Sequence, residues 1–470
     1  MKEYLLIYMY AFNIFIAIYL IVYVSYLLFS GIVGTIVMLR KKRLELMHNY
    51  LDHEYYYPIS IIVPMYNEGK SGVECVQNLF NLDYKLYEIV VVDDGSKDDT
   101  KRLVIDAFNL KPDFYRPIRL KIPCKPIKEI YKGNVNGINI TLIHKENGGC
   151  KADAVNAGIN ASTFSYFLCM DGDEILQKDC LKYAARALLE DDRTIAVGGN
   201  IKISNSVTFK DAMPIKRNYG ENILVDIQTL EYSRGFIGAR VFQNMINANL
   251  IISGGFGIFR KQAVIDVGGY DPESIGEDME LTTKLHKHFR KNKMKYLMKY
   301  APESICWTQG PEDLRDISKQ RERWHMGLRQ TLFIYRSMIL NPRYGVLGLF
   351  MIPYMILYEF LYPIIMVMGI VSISIGAYFH LINWWYAIFY FLVYVLFNIL
   401  LGSISYFGNY LLENEKINWK EIIHYFLIGV FDALIFRQYL TLVTFFATFK
   451  SRKKTKWHSP KRIENKIENK

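Results

Sequence analysis

The chain has 470 residues, a formal net charge of +11 and 51% apolar residues. Its six cysteines form no C-x-x-C pair and no zinc spacing, which excludes a zinc module and fits reduced thiols without a disulfide. The excess charge lies beside apolar stretches and in Lys450-Ser451-Arg452-Lys453-Lys454, and no nucleic-acid motif is present, so the expected partner surface is anionic lipid and not nucleic acid.

Residues 4–39 carry no charged side chain and exceed the ~20 residues a spanning helix needs. Arg40-Lys41-Lys42-Arg43 closes the stretch. A cleaved signal peptide has a shorter apolar core and a small-residue cleavage site, so residues 1–43 read as a retained anchor whose basic end is cytosolic. Residues 44–346 then read as a cytosolic globular region. There Ile59–Val63, Glu88–Val92, Ile140–Ile143, Phe164–Leu168 and Ile195–Val197 are expected to be buried strands. Helical patterns fall between them at 72–81, 98–108, 151–161 and 178–189, which predicts an α/β fold with a mostly parallel sheet. Residues 111–140 carry seven Lys or Arg against Asp113 and Glu129, a net of +5, and read as a solvated hairpin insertion.

Apolar stretches return in residues 347–449, followed by a basic cytosolic tail at 450–470. A cytosolic domain and a cytosolic tail require an even number of crossings between them. The expected spans are 352–378 and 382–406. Residues 421–449, interrupted by Asp432 and Arg437, read as interfacial, re-entrant or lining a channel.

Ligands of open α/β sheets bind beyond the carboxyl ends of the strands. Pro64 to Glu68, Asp93-Asp94, Gly148 to Lys151 and Asp171 to Asp173 all fall there. No G-x-G-x-x-G or Walker A sequence follows a strand, so a nucleotide phosphate needs another partner. Asp171 and Asp173, at i and i+2 after a strand, project to one side and suit a hard divalent cation that also binds a diphosphate. The bland alternative is a solvated strand end. Asp93 and Asp94 can accept from uracil N–H or ribose hydroxyls, whereas Ser96, Asp98 and Asp99 read as capping residues of the next helix. Lys151 follows glycines that permit close backbone approach and suits a diphosphate; an exposed helix-start lysine fits equally. Asn156 and Cys169 read as structural, and His286 and His288 as surface residues.

Pro64-Met65-Tyr66-Asn67-Glu68, Asp93-Asp94-Gly95-Ser96, Gly148-Gly149-Cys150-Lys151-Ala152, Asp171-Gly172-Asp173, Gly276-Glu277-Asp278 and Gln320-Arg321-Glu322-Arg323-Trp324 together resemble glycosyltransferase family 2. The likeness is greatest to its processive membrane branch, the cellulose, hyaluronan and poly-N-acetylglucosamine synthases. Cys150 is one residue more than the usual Gly-Gly-Lys run. The resemblance implies a cytosolic GT-A-type nucleotide-sugar-binding domain embedded between transmembrane helices. It implies that Pro64, Tyr66, Glu68, Asp93 and Asp94 serve the uridine side, with Lys151, Asp171, Gln320 and Arg323 completing the donor site. Asp171 and Asp173 would hold Mg2+ or Mn2+, and Asp278 would be the catalytic base. Gly254, Glu277 and Trp324 would meet the acceptor, Glu277 either raising the pKa of Asp278 or pointing to solvent. Trp457 to Arg462 resembles the switch loop of hyaluronan and related synthases.

The expected function is therefore that of a plasma-membrane, multi-pass, inverting polysaccharide synthase. UDP-glucose and a β-glucan are favoured as donor and product. The alternatives are UDP-N-acetylglucosamine feeding a poly-N-acetylglucosamine or hyaluronan-like polymer, and non-processive transfer to a lipid. Secretion of the growing polysaccharide leaves room for an accessory secretion subunit.

Overall fold

The computed structural model describes residues 2–48, 56–114, 118–413, 418–451 and 466–467. The strands are Ile59–Met65 (β1), Tyr87–Asp93 (β2), Lys111–Pro112 (β3), Ile127–Val135 (β4), Ile138–Lys145 (β5), Tyr166–Cys169 (β6), Ile175–Leu176 (β7), Thr194–Ile203 (β8), Val207–Lys210 (β9), Met213–Arg217 (β10), Gly257–Arg260 (β11), Leu297–Thr308 (β12) and Lys466–Ile467 (β13). Ten of them form one sheet in the order β3-β4-β5-β2-β1-β6-β11-β8-β12-β7, and β10-β9-β13 form a second. The five strands expected from the sequence are all present. The ladders from β5 through β2 and β1 to β6 are parallel, as is β8 with β12. β11, however, runs antiparallel between β6 and β8, and the β4–β5 hairpin is antiparallel. The sheet as a whole is thus mixed, and its parallel part is the half that carries the strand-end motifs.

β1 and β2 are buried over their whole length, as strands covered on both faces must be, which is why they read as unbroken β-branched runs. One face is covered by the Gly69–Leu79 helix, which buries Gly72, Cys75, Val76 and Leu79 at helical spacing. The other is covered by Lys151–Ala161, whose small side chains let it lie close to the sheet. A Cβ on Gly158 would overlap Ile62. Within the basic 111–140 segment, half-exposed β4 turns into β5 through Asn136 and Gly137, both at positive φ, as a tight hairpin requires. His286 departs from its expected surface place. It is buried, bonded to Tyr296 and to the Asn249 carbonyl at 2.6 and 2.8 Å, and burial pushes its pKa down to about 4.

Lys2–His48 is one 47-residue helix whose Ile7–Arg40 stretch is long and apolar enough to cross a membrane. Trp384–Glu413 contains a second such stretch, and both leave most of their apolar surface unburied. These helices mark a membrane protein. Residues 347–378, which include the expected 352–378 span, form two helical pieces bent by 47° beside Pro363, which lacks a backbone donor. Residues 419–449 are also long enough to cross, yet they are stitched to the globular domain along their length. His424 bonds Asp226 at 2.8 Å, Tyr439 bonds Ser318 at 2.7 Å and Thr448 bonds His325 at 2.8 Å. The two charges in this stretch face protein: Asp432 accepts from Arg234 and Arg437 at 2.6 and 3.0 Å. Trp457 to Arg462 lie outside the described residues.

Removing Asp432 alone would leave two guanidinium groups without their shared carboxylate, so Asp432→Asn should cost about 3–5 kcal/mol. The check is the melting temperature of detergent-solubilised protein, and an unchanged value would show that the cluster does not hold this helix to the domain.

Candidate active site

At the carboxyl ends of β2 and β5, four buried charges hold a loop. Asp93 accepts from the Ser96 N–H at 3.1 Å and bonds His144 Nδ1 at 2.5 Å. Asp94 pairs with Lys145, whose ammonium is fully buried and also meets Asp153 at 2.5 Å. Asp94 further accepts from the Gly148 N–H at 3.0 Å. Burial raises its pKa against the lowering effect of Lys145. Both strand-end aspartates are buried and accept from groups of the chain itself. They anchor the turn through Asn147, Gly148 and Gly149, with Gly149 at φ +72°, and deliver Lys151 at the start of its helix. Ser96 is likewise not a helix cap but accepts from the Asn67 N–H at 3.0 Å.

Lys151 is not an exposed helix-start lysine. Its ammonium pairs with Asp171 and donates to the Gly254 carbonyl at 2.8 Å, while the Gly254 N–H reaches Asp278 Oδ2 at 3.3 Å. Residues more than a hundred positions apart are thereby drawn into one cluster. Burial and then the neighbouring Asp171 push the Asp173 carboxyl up to about 7, and Glu174 is raised for the same two reasons. Glu174 accepts from the Asp171 N–H at 2.8 Å and lies against Gly255, where any Cβ would overlap its Oε1. Pro64 and Glu68 border the same turn, with the Pro64 carbonyl and Glu68 Cγ each 3.6 Å from where a Gly172 Cβ would stand. Tyr66 is half-buried beside them.

Glu277 and Asp278 open the Glu277–Lys291 helix, where a helix start favours negative charge. Glu277 does not simply point to solvent. Burial and the adjacent Asp278 raise its pKa, and Lys151 and Arg323 oppose that rise, so both cations act on this carboxylate. The Leu314–Ile334 helix supplies the rest. Gln320 Oε1 is buried and has no hydrogen-bond partner among the described residues. Arg321 is buried against Glu231 at 2.7 Å and lies 4.3 Å from the Trp324 ring centroid, while Arg323 is exposed and Trp324 is 42% exposed. Sequence reasoning missed Lys145, Asp153 and Glu174, although a lysine two residues before an Asn-Gly-Gly run was a usable signal.

Among the described residues no group of three or more His, Cys, Asp or Glu is arranged to hold an ion. The Asp171–Asp173 pair nevertheless fits a hard divalent cation: two carboxylates crowd each other there, and such cations commonly take one or two carboxylates and complete their shell with substrate phosphates.

A mixed α/β sheet with acidic groups gathered at its strand ends, flanked by apolar helices, defines a GT-A-like fold at a membrane. The mannosyltransferase PcManGT from Pyrobaculum calidifontis, solved with GDP-Man and Mn2+, has a similar fold, with TM-score 0.50, 17% identity, and 88% of this chain and 98% of that one covered. Residues 166–411 match the profile of glycosyl transferase family group 2, and residues 60–122 that of glycosyl transferase family 2. The chain belongs to glycosyl transferase family group 2. It is 31% identical over 274 residues to poly-beta-1,6-N-acetyl-D-glucosamine synthase of Staphylococcus aureus (strain COL), covering 58% of this chain and 55% of that protein. Its identity to the protein of that name from Staphylococcus epidermidis is 28% over 281 residues, 60% of this chain and 57% of the relative. The chain thus spans about half the length of the curated relatives it matches.

Lys145→Met would strand two buried carboxylates and is expected to destabilise the domain by about 3–5 kcal/mol. Amide exchange at Gly148, whose N–H Asp94 holds, should accelerate in the same variant. Slow exchange there would show that the ion cluster does not anchor the loop.

Proposed function

We propose that the chain is a processive, inverting glycosyltransferase that takes N-acetylglucosamine from UDP-N-acetylglucosamine and adds it to a growing β-linked polysaccharide. The observation that carries this reading is the contact series Asp171–Lys151–Gly254–Asp278, which joins a diphosphate-type acid pair to a carboxylate suited to take a proton. The printed activity of the staphylococcal relatives supports the sugar and the polymer. UDP-glucose and a β-glucan, favoured by the motifs alone, yield to that alternative. Transfer to a lipid has less use for an exposed tryptophan on the acceptor side.

In this reading the uridine diphosphate lies over Pro64, Tyr66 and Glu68, with Asp171 and Asp173 holding Mg2+ or Mn2+. Asp93 and Asp94 act through the loops they anchor. When bound, the cation supplies charge neutralisation to the departing diphosphate. Arg323 offers its exposed guanidinium to the same phosphates in a fork. Gln320 Oε1, buried and unpartnered among the described residues, accepts from a donor hydroxyl. Trp324 presents a flat apolar face to the acceptor sugar. Asp278 takes the proton of the acceptor hydroxyl as that oxygen bonds to the anomeric carbon and the bond to the diphosphate oxygen breaks. One displacement at an α-linked donor yields a β-linkage.

The domain, residues 44–346, works at the cytosolic face of the plasma membrane, where nucleotide sugars are made. The Lys2–His48 helix anchors it. Residues 362–378 and 384–413 provide an even pair of crossings, and 419–449 lies along the domain.

Purified protein given each radiolabelled UDP-sugar should release UDP fastest from UDP-N-acetylglucosamine and make a polymer cleaved by a β-1,6-N-acetylglucosaminidase. Polymer made only from UDP-glucose would overturn the donor assignment. Asp278→Asn should bind UDP with near-normal affinity while transfer falls roughly 10²–10⁴-fold. Trp324→Ala should lose polymer formation more than donor hydrolysis, since water needs no platform. Equal loss of both would remove Trp324 from the acceptor site.

A further inference from the structure

We propose that Lys151 occupies the place of the divalent cation while the nucleotide site is empty, so that metal and donor diphosphate bind as a linked pair and not one after the other. The proposal rests on the donor-site reading above. The Lys151 ammonium is paired with Asp171, and their side chains are 12% and 39% exposed, respectively. It is held there by a second bond, to the Gly254 carbonyl at 2.8 Å. An incoming cation that uses the Asp171 carboxylate must compete with an ammonium already in contact with it. The same ammonium has no reason to leave for water, because burial makes an unpaired charge expensive. A diphosphate supplies the missing alternative: its oxygens give Lys151 a new anion and release Asp171 to the metal. Linkage is reciprocal, so metal in turn tightens diphosphate binding.

The move has a second consequence. Gly254 joins Lys151 to the base, its carbonyl accepting from the lysine and its N–H donating to Asp278 Oδ2 at 3.3 Å. When Lys151 turns to the diphosphate, the Gly254 carbonyl loses its donor and the loop Ser253–Gly257 is freed to adjust beneath the acceptor.

The experiment measures free Mn2+ by electron paramagnetic resonance against the purified full chain, with and without UDP. Wild type should bind Mn2+ weakly alone and roughly 10-fold or more tightly with UDP. Lys151→Met should bind Mn2+ about 10-fold more tightly than wild type without nucleotide and gain less from UDP than wild type does, keeping only the part that comes from phosphate oxygens on the metal. Lys151→Gln is the second neutral variant, expected to behave as Lys151→Met, and Lys151→Arg keeps the charge and should stay as weak as wild type. Unchanged Mn2+ affinity in both neutral variants, or a wild type indifferent to UDP, overturns the linkage. Asp173→Asn separates the two readings. If that variant keeps Mn2+ binding at full strength in UDP, the metal site itself has been misassigned, whatever Lys151 does.

Discussion

A carboxylate taken out of water needs a cation or hydrogen-bond donors in contact with it, and contacts with cations organise much of this molecule, from the sheet to the membrane helices. Lys145 lies between Asp94 and Asp153, Lys151 beside Asp171, Arg321 against Glu231, and Arg234 with Arg437 around Asp432. Asp94 with Lys145, Glu231 with Arg321 and Arg234 with Asp432 join positions 51, 90 and 198 residues apart. The Lys145 contacts tie two strand ends to a helix, the Lys151 pair ties a helix to the acid turn, the Arg321 pair joins two helices of the domain, and the Asp432 cluster ties the domain to the 419–449 stretch. Losing one partner is costly in a way that losing a surface ion pair is not.

The Leu314–Ile334 helix shows how the membrane side reaches the chemistry. It carries Gln320, Arg323 and Trp324 toward the cluster, yet its orientation is held elsewhere, by Arg321 on Glu231 and by His325 and Arg329 on the end of the 437–449 helix. Arg321 also lies over Trp324, so one buried guanidinium sets the indole while its neighbour Arg323 stays accessible.

Close backbone approach is the other constraint. Gly158 lets a helix lie on β1, and Gly255 leaves room for the buried Glu174 carboxylate behind the loop that carries Gly254. Gly199 faces the ring of Phe256 too closely for any side chain. Without these three positions the 253–257 loop could not sit between Lys151 and Asp278, and the acid turn and the helix start at Glu277 would have no bridge.

The strands β1, β2, β5, β6 and β8, the helices between them and the apolar helices at both ends were legible in the chain because burial on two faces, or in lipid, writes itself as long runs of apolar residues. The order of acidic motifs was legible for a similar reason: strand-end chemistry uses short, contiguous segments. β11 and β12 were missed, since four residues after a glycine run, or a strand broken by Pro302 and Glu303, carry no clear periodicity. What only the tertiary structure decided is which charge meets which. Asp93 and Asp94 were readable as acids but not as loop anchors, Lys151 as a cation but not as the partner of Asp171, and Asp432 as an expensive charge but not as one held by Arg234 from 198 residues away. Pairing across such separations depends on how the sheet and helices pack, and a one-dimensional pattern records the charges while leaving their partners open.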